Sequence, residues 1–216
     1  METFRLVRPE KQHEQAAKEY LQEFYASGSE THGVGGLEKY QDDYDGWLQN
    51  LEEMRNMQPG GRLVPSETFF LMRRDADGND KLVGTISVRF ILNDGLWQYG
   101  GNIGYGIRPS ERRKGYNKIN LYLALKVCQQ HGLEVVLLDC DKDNTGSAKT
   151  MRALGGKLIR EHLQENSQGG QVLVQDYVID VDAAVAKNRA QYEPLLAESA
   201  VPLPHPAVQQ SLHRCS

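Results

Sequence analysis

The apolar positions of the chain change period several times, and each change marks an element. Residues 4–8 alternate as a short strand does, and over residues 10–25 Ala16, Ala17, Tyr20, Leu21 and Phe24 recur at helical spacing. The Gly-, Ser- and Thr-rich stretch 27–36 leads into a second helical run, 37–57, with Tyr40, Tyr44, Trp47, Leu48 and Leu51 on one side and Pro59-Gly60-Gly61 at its end. The period then shortens. Residues 68–72, 82–92 and 103–107 read as strands parted by residues 75–79 and by Asn93-Asp94-Gly95, the first two forming a hairpin. Residues 116–130 carry two apolar stripes, Ile119/Tyr122/Leu123/Val127 and Leu121/Ala124/Leu125/Cys128, which predict a helix buried on more than one side. The continuous apolar centre of residues 134–140 predicts a strand covered on both faces, parallel to the one that ends at Ile107. A short helix over 144–154, closed by Gly155-Gly156, and two strands, 157–162 and 171–181, around a turn-rich stretch at 165–170 complete the order β-α-α-β-β-β-α-β-α-β-β.

After Asp182 the pattern weakens. Val181, Val185 and Tyr192 allow one more short amphipathic helix, and Pro194, Pro202, Pro204 and Pro206 predict a flexible tail. The expected organisation is one domain, residues 1–181, and a C-terminal extension, residues 182–216. A length of 216 residues with 39% hydrophobic content suits one well-packed domain plus an appendage better than two domains.

Charge narrows the ligand. A net charge of −4 argues against a general nucleic-acid binder, whereas Arg112-Arg113-Lys114 is a local positive spot suited to a small anion. Met1 to Arg5 lacks the regions of a signal peptide and no apolar run approaches membrane-spanning length, so a cytoplasmic protein with no membrane partner is expected. Cys128, Cys140 and Cys215 are odd in number and lack CxxC pairing. His13, His32, His131, His162, His205 and His213 show no ligand spacing, so neither a disulfide framework nor a metal is implied.

The chemistry concentrates at Arg112-Arg113-Lys114-Gly115-Tyr116-Asn117, between the strand at 103–107 and the helix at 116–130. The first N–H groups of a helix lack intrahelical partners and sit at the positive end of its dipole, so they attract anions. Gly115 permits close backbone approach, and Pro109-Ser110 turns the chain after the strand. The stretch reads as a diphosphate cradle.

In Arg112-x-x-Gly115-x-Asn117 the chain resembles the GCN5-related N-acetyltransferase (GNAT) family, whose signature is [QR]-x-x-G-x-[GA] between a strand and a helix. A second family motif stands at the expected distance, Asn144-Thr145-Gly146-Ser147 followed by Leu154-Gly155-Gly156. The resemblance covers roughly residues 4–181, and residues 100–116 and 140–144 look like a branch of bacterial acetyltransferases with unassigned acceptors. It implies an α/β (α+β) fold: a mixed, mostly antiparallel central sheet with splayed parallel central strands and helices on both faces. It also implies acetyl-CoA as cosubstrate and, as acceptor, an amine of a small molecule or a protein, placed between the first two helices and the last hairpin. A homodimer is compatible with it.

By the same resemblance, Tyr105, Gly106 and Ile107 would offer backbone groups to the pantetheine arm and thioester, with the Ile107 N–H polarising the thioester carbonyl. Arg112, Arg113, Lys114, Gly115, Tyr116, Asn117 and Lys118 would hold the diphosphate, and Lys114, Lys118 or Lys149 the remaining phosphate. Asn144, with Ser147, would lie beside the pantetheine arm. Asn144 equally suits an N-cap, and Tyr105 suits packing on the sheet. Three positions depart from the family. Met151 stands where many members carry the tyrosine that protonates the leaving thiolate, Asn117 where a small residue is usual, and Asn102 where relatives often have histidine. An asparagine cannot act as a base. The candidates for proton removal are His32, Glu67, and Tyr105 through water. The demand on such a group is large, because a lysine-like amine of pKa ~10.4 needs about 4.6 kcal/mol to lose its proton at pH 7. Asp42, Asp43, Asp45, Glu52 and Glu53 give the second helix an acidic flank that suits a cationic acceptor. The alternative reading is a non-catalytic acyl-CoA-binding module that keeps the cradle. A Rossmann nucleotide site fits poorly, since residues 101–106 do not form the strand-to-helix glycine turn.

Overall fold

The computed structural model describes residues 1–204 apart from Pro59, Arg62, Ser167, Gln168 and Ser199. His205, Pro206, His213 and Cys215, named above, lie outside the described residues, as does Pro59. The elements are β1 (Thr3–Val7), α1 (Glu14–Ala26), α2 (Tyr44–Asn56), β2 (Ser66–Arg74), β3 (Asp80–Arg89), α3 (Asp94–Gln98), β4 (Ile103–Ile107), α4 (Tyr116–Gln130), β5 (Val135–Asp141), α5 (Thr145–Ala153), β6 (Lys157–Glu165), β7 (Gln171–Asp180) and α6 (Val181–Tyr192). Strands β1-β2-β3-β4 form one sheet and β5-β7-β6 a second, with antiparallel pairing throughout. No helix among the described residues is long and apolar enough to cross a membrane.

Strand β2 shows why its apolar run has no polar face. Phe69 and Leu71 point into the core beneath α4, while Phe70 and Met72 point into a second core with Tyr20, Phe24 and Trp47 of α1 and α2. A strand covered on both faces reads as continuous hydrophobicity. Helix α4 carries two stripes for a similar reason, since it packs in one core with residues of both sheets and of α6.

Besides shifts of a few residues at element ends, three features differ from the sequence reading. The helical run at 37–57 divides into a single 3-10 turn, Leu37–Lys39, and α2, because the Asp43 carboxylate accepts the Gly46 N–H (2.9 Å) and starts a new helix. Asn93 does the same for α3, accepting the Leu96 N–H at 3.0 Å, where the sequence reads as a turn. Strand β5 is buried on both faces only over residues 136–138, since Val135 is 57% exposed, Asp139 is half-buried and Asp141 is exposed.

Strands β4 and β5, which the resemblance implied would splay apart, form no ladder with each other. The two sheets meet at a single antiparallel bridge, Gly101 to Leu138, backed by the Asn102 N–H donating to Leu137 O (2.7 Å). Gly101 permits the approach: its φ is +82°, and a Cβ there would stand 2.4 Å from Leu137 O. Beyond this point the strands splay, and a gap replaces the pairing. After β7, Asp180 caps α6 through the Ala183 N–H (2.9 Å), and Val181, Ala184, Val185 and Tyr192 join the core around α4. The chain then runs beside β1, with Ala197 N–H donating to Phe4 O (3.0 Å) and Leu6 N–H to Ala200 O (2.8 Å).

Candidate functional site

The register of β3 with β4 sets the chemistry of the gap. Arg89 N–H donates to Asn102 O (2.7 Å) and Arg108 N–H to Val83 O (2.9 Å), so the even-numbered residues of β4 bond to β3. Ile103, Tyr105 and Ile107 therefore turn their N–H and C=O groups to the open edge. On the α1 side of the sheet the loop at 28–36 lies directly on β4. A Cβ on Gly33, whose φ is +67°, would stand 2.3 Å from Gly104 O, and one on Gly106 would stand 3.0 Å from His32 O. Thr85 Oγ1 donates to His32 O (3.0 Å) and meets Tyr20 Oη at 3.1 Å, which fixes the loop. His32 is brought to the site in this way, with its ring exposed.

A cavity of about 870 Å³ fills the gap, lined by the open edge of β4, the basic loop and the start of α5. In the basic loop Arg113 (φ +64°) is the one non-glycine residue in the left-handed region among the described residues, and Gly115 (φ +85°) caps α4. Such alternation turns successive N–H groups to one side and forms a concavity for oxyanions. A Cβ on Gly115 would meet nothing within 4 Å, so glycine answers to the backbone angle there, and the space beside it is free for a ligand.

The cations divide. Arg112 lies over the Phe24 ring at 5.3 Å and donates to Ser29 Oγ (3.1 Å) and Ile107 O (3.3 Å). Arg113 and Lys118 line the cavity wall. The Lys114 ammonium turns away to buried Glu111 (2.7 Å), which also takes Lys81 at 2.6 Å. Burial opposes the Glu111 charge, but the two ammonium groups prevail and hold its pKa below the usual carboxylate range. Lys149 is exposed on α5 and does not line the cavity.

On the opposite wall Asn144 Oδ1 accepts the Ser147 N–H (3.1 Å), so Asn144 caps α5. Ser147 Oγ meets Tyr105 Oη at 2.6 Å, a clasp across the gap. Burial pushes the Tyr105 phenol pKa well up. Met151 is wholly buried in the core. Glu67 is not brought to the site. It is buried on β2 and paired with Arg8 Nε at 2.9 Å, off the cavity. Three of the acidic residues near α2 are occupied elsewhere: Asp43 caps the helix, Asp45 pairs with Lys11 (2.7 Å), and Glu52 pairs with Arg55.

Two residues stand at the centre: Asn102, which the sequence reading noted only as unable to act as a base, and Asp139, which it passed over. Asn102 is buried, and its side chain joins the sheets, Oδ1 accepting the Leu137 N–H (2.8 Å) and Nδ2 donating to Arg89 O (2.9 Å). Asp139 faces the cavity from β5. Val136, Leu138 and Cys140 point into the α4 core, so by alternation Asp139 points to the face occupied by Gly104, Gly106 and the His32 loop. Burial, then the charge of Asp176, pushes its carboxyl up to about 6. A second cavity of about 410 Å³ adjoins, walled by the His32 loop, Asp139, Asp141 and the β6–β7 hairpin including Glu165. The one sequence cue was an acidic residue breaking an apolar strand.

Comparison with known families matches residues 2–157 to the acetyltransferase (GNAT) domain. No curated protein matches the chain by sequence. Among solved structures the fold is similar to yncA of Salmonella typhimurium, a provisionally assigned acetyltransferase solved with its cofactor acetyl-CoA. The TM-score is 0.58 at 14% identity, over 84% of this chain and 94% of that one. It is also similar to RimL, a ribosomal L7/L12 alpha-N-protein acetyltransferase solved with coenzyme A, with TM-score 0.59 at 15% identity over 84% and 96%. Mutant forms of the spermidine/spermine N-acetyltransferase SpeG of Vibrio cholerae give a TM-score of 0.56 at 14% identity over 87% and 99%. At these identities the likeness concerns the fold.

Proposed function

Because this chain belongs to the GNAT acetyltransferase family, we propose that it transfers the acetyl group of acetyl-CoA to an amine by direct attack, with the cosubstrate in the larger cavity and the acceptor in the smaller. One observation carries the reading: the unpaired edge of β4 faces a gap that ends at a left-handed, cationic loop opening a helix. Backbone donors along a strand suit the amides of a pantetheine arm, and a helix start with Arg113 and Lys118 beside it suits a diphosphate.

In this reading the Ile107 N–H donates to the thioester carbonyl, a contact typically worth ~3 kcal/mol as charge develops on that oxygen. Arg112 is a brace, held by Phe24 and Ser29, and orders the loop without reaching outward. Lys118 and Arg113 supply the phosphate charges, while Lys114 contributes its backbone, its ammonium being taken by Glu111. The Asn144 Nδ2 group points its donors at the pantetheine side, its Oδ1 being used as the cap. The Tyr105 phenol, kept protonated by burial, stands in for the phenol that Met151 lacks and can protonate the departing sulfur. Asp139, Asp141 and Glu165 on the smaller cavity favour an acceptor that arrives as an ammonium ion. The alternative, a module that binds acyl-CoA without chemistry, draws on the buried Met151.

Coenzyme A at a hundredfold excess over its Kd is expected to stabilise the protein by about 2.7 kcal/mol, a rise in Tm of roughly 5–10 °C by scanning fluorimetry. The absence of any shift at millimolar concentration would sink both readings. Thiol release in the presence of amines separates them, since the module alone would bind and release nothing. Gly115→Val forces a branched residue to a positive φ at the cradle and is expected to weaken coenzyme A at least tenfold by isothermal titration. Unchanged affinity in that variant would place the diphosphate elsewhere.

A further inference from the structure

Four titratable side chains line both cavities: Glu30, His32, Asp139 and Asp141. Glu30, His32 and Asp141 are exposed at the rim, and Asp139 alone is half-buried where the cavities join. It also carries no ion pair or side-chain hydrogen bond to another of the described residues. Its neighbours are committed to other partners. Arg89, facing it from β3, donates to Gly101 O at 2.9 Å. Asp176, its cross-strand partner on β7, is taken by Arg160 Nε (2.6 Å), with His162 Nδ1 at 3.6 Å, both on β6. The carboxylate therefore opens toward the place where an acceptor in the smaller cavity meets a thioester in the larger.

Resting on the acetyl-transfer reading above, we propose that Asp139 is the catalytic base, taking the proton that the acceptor ammonium must lose before its nitrogen attacks. Asp139 Oδ accepts one N–H proton, and the freed lone pair forms the C–N bond as the C–S bond breaks. The departing thiolate takes the Tyr105 hydroxyl proton, the second N–H proton restores the phenol, and Asp139 returns its own proton to solvent through the smaller cavity. Charge and protons then balance: ammonium plus thioester gives amide, thiol and one released proton. Burial and the Asp176 charge raise the proton affinity of the group, with its midpoint at about 6, so at neutral pH it is ionised yet more basic than an ordinary carboxylate. The other candidates are less well placed. Glu67 is off the cavity, and the Tyr105 phenol is tied to Ser147 on the far wall of the gap.

The test uses the full chain, acetyl-CoA, and spermidine, L-lysine and a peptide with a free α-amine as acceptors, read by thiol release from pH 5 to 10. In the wild type kcat/KM should rise through pH about 6 and stay level until the acceptor's own pKa. Asp139→Asn should lower kcat/KM at pH 7 by about 100-fold or more and give a profile that climbs tenfold per pH unit up to the amine's pKa. Coenzyme A affinity should stay within about threefold, because Asp139 stands where the cavities join and is none of the groups assigned to the diphosphate or the pantetheine arm. A carboxyl-carbon NMR titration should place the Asp139 midpoint near 6, against about 4 for a free aspartate. Transfer by Asp139→Asn with the wild-type rate and profile, or an ordinary midpoint, would overturn the assignment while leaving the acetyltransferase reading intact. Failure of the wild type to acetylate any of the three acceptors would overturn that reading, and the assignment with it.

Discussion

Ending the chain at Val181 is expected to abolish cooperative folding. The segment after β7 reads in sequence as an appendage, yet Ala184, Val185, Tyr192 and Ala200 are buried in the core around α4. Tyr192 packs on Tyr122 with ring centroids 5.1 Å apart, and Glu193 accepts from Tyr122 Oη (3.0 Å) and Lys126 Nζ (2.6 Å). Burial of a Val or Tyr side chain contributes roughly 1.5–3 kcal/mol, so the segment as a whole contributes about 6 kcal/mol or more. A domain of this size is stable by only about 5–15 kcal/mol. The truncation also bares α4, the helix that starts at the basic loop, so coenzyme A binding at the proposed site should fall with folding. Circular dichroism on the truncated chain should show no cooperative melt. A melt within a few degrees of the full chain would show that α6 is the appendage its composition resembles.

Asn102→Ala is expected to cost about 3–4 kcal/mol. The side chain satisfies two backbone groups in different sheets, the Leu137 N–H at 2.8 Å and the Arg89 C=O at 2.9 Å. Alanine leaves both without a partner in a site where Asn102 itself is 6% exposed, and each orphaned group costs roughly 1–3 kcal/mol. In a domain of this length that is a fall in Tm of roughly 10 °C by calorimetry. The site should suffer too. Among the described residues the Gly101–Leu138 bridge and the Asn102 hydrogen bonds pin the start of β4 to β5, and the width of the gap is set from there. Coenzyme A affinity measured well below the melting range should therefore fall together with stability. A variant that melts like the wild type would mean that water replaces the side chain without loss.

Much of the fold was legible because period and capping are local. The Phe69/Phe70 run, the double stripe of α4 and the Gly155-Gly156 stop each state their environment within a few residues. The divided second helix was missed for a related reason: Asp43 is as good an N-cap as Asn144, but the pattern around it keeps its helical spacing. The basic loop was legible as a cationic turn that opens a helix, although the places of its side chains were not. Three adjacent cations look equivalent in sequence. Burying Glu111 beneath them draws Lys114 away, while Arg112 is held on Phe24.

What the sequence by itself determined is the succession of elements apart from α3, the tight basic turn at Gly115 before α4 and, through two motifs at the right distance, the family. These depend on spacing along the chain, where backbone geometry allows few solutions. The tertiary structure alone decided which strands part and which side chains meet in the gap. The proton affinity of Asp139 depends on Asp176, which pairs with it across β5 and β7, and on burial beside Arg89 of β3. The role of Asn102 depends on Leu137 and Arg89, which lie on different strands. Desolvation and charge act through space with no memory of chain order, so no local pattern could have announced either one.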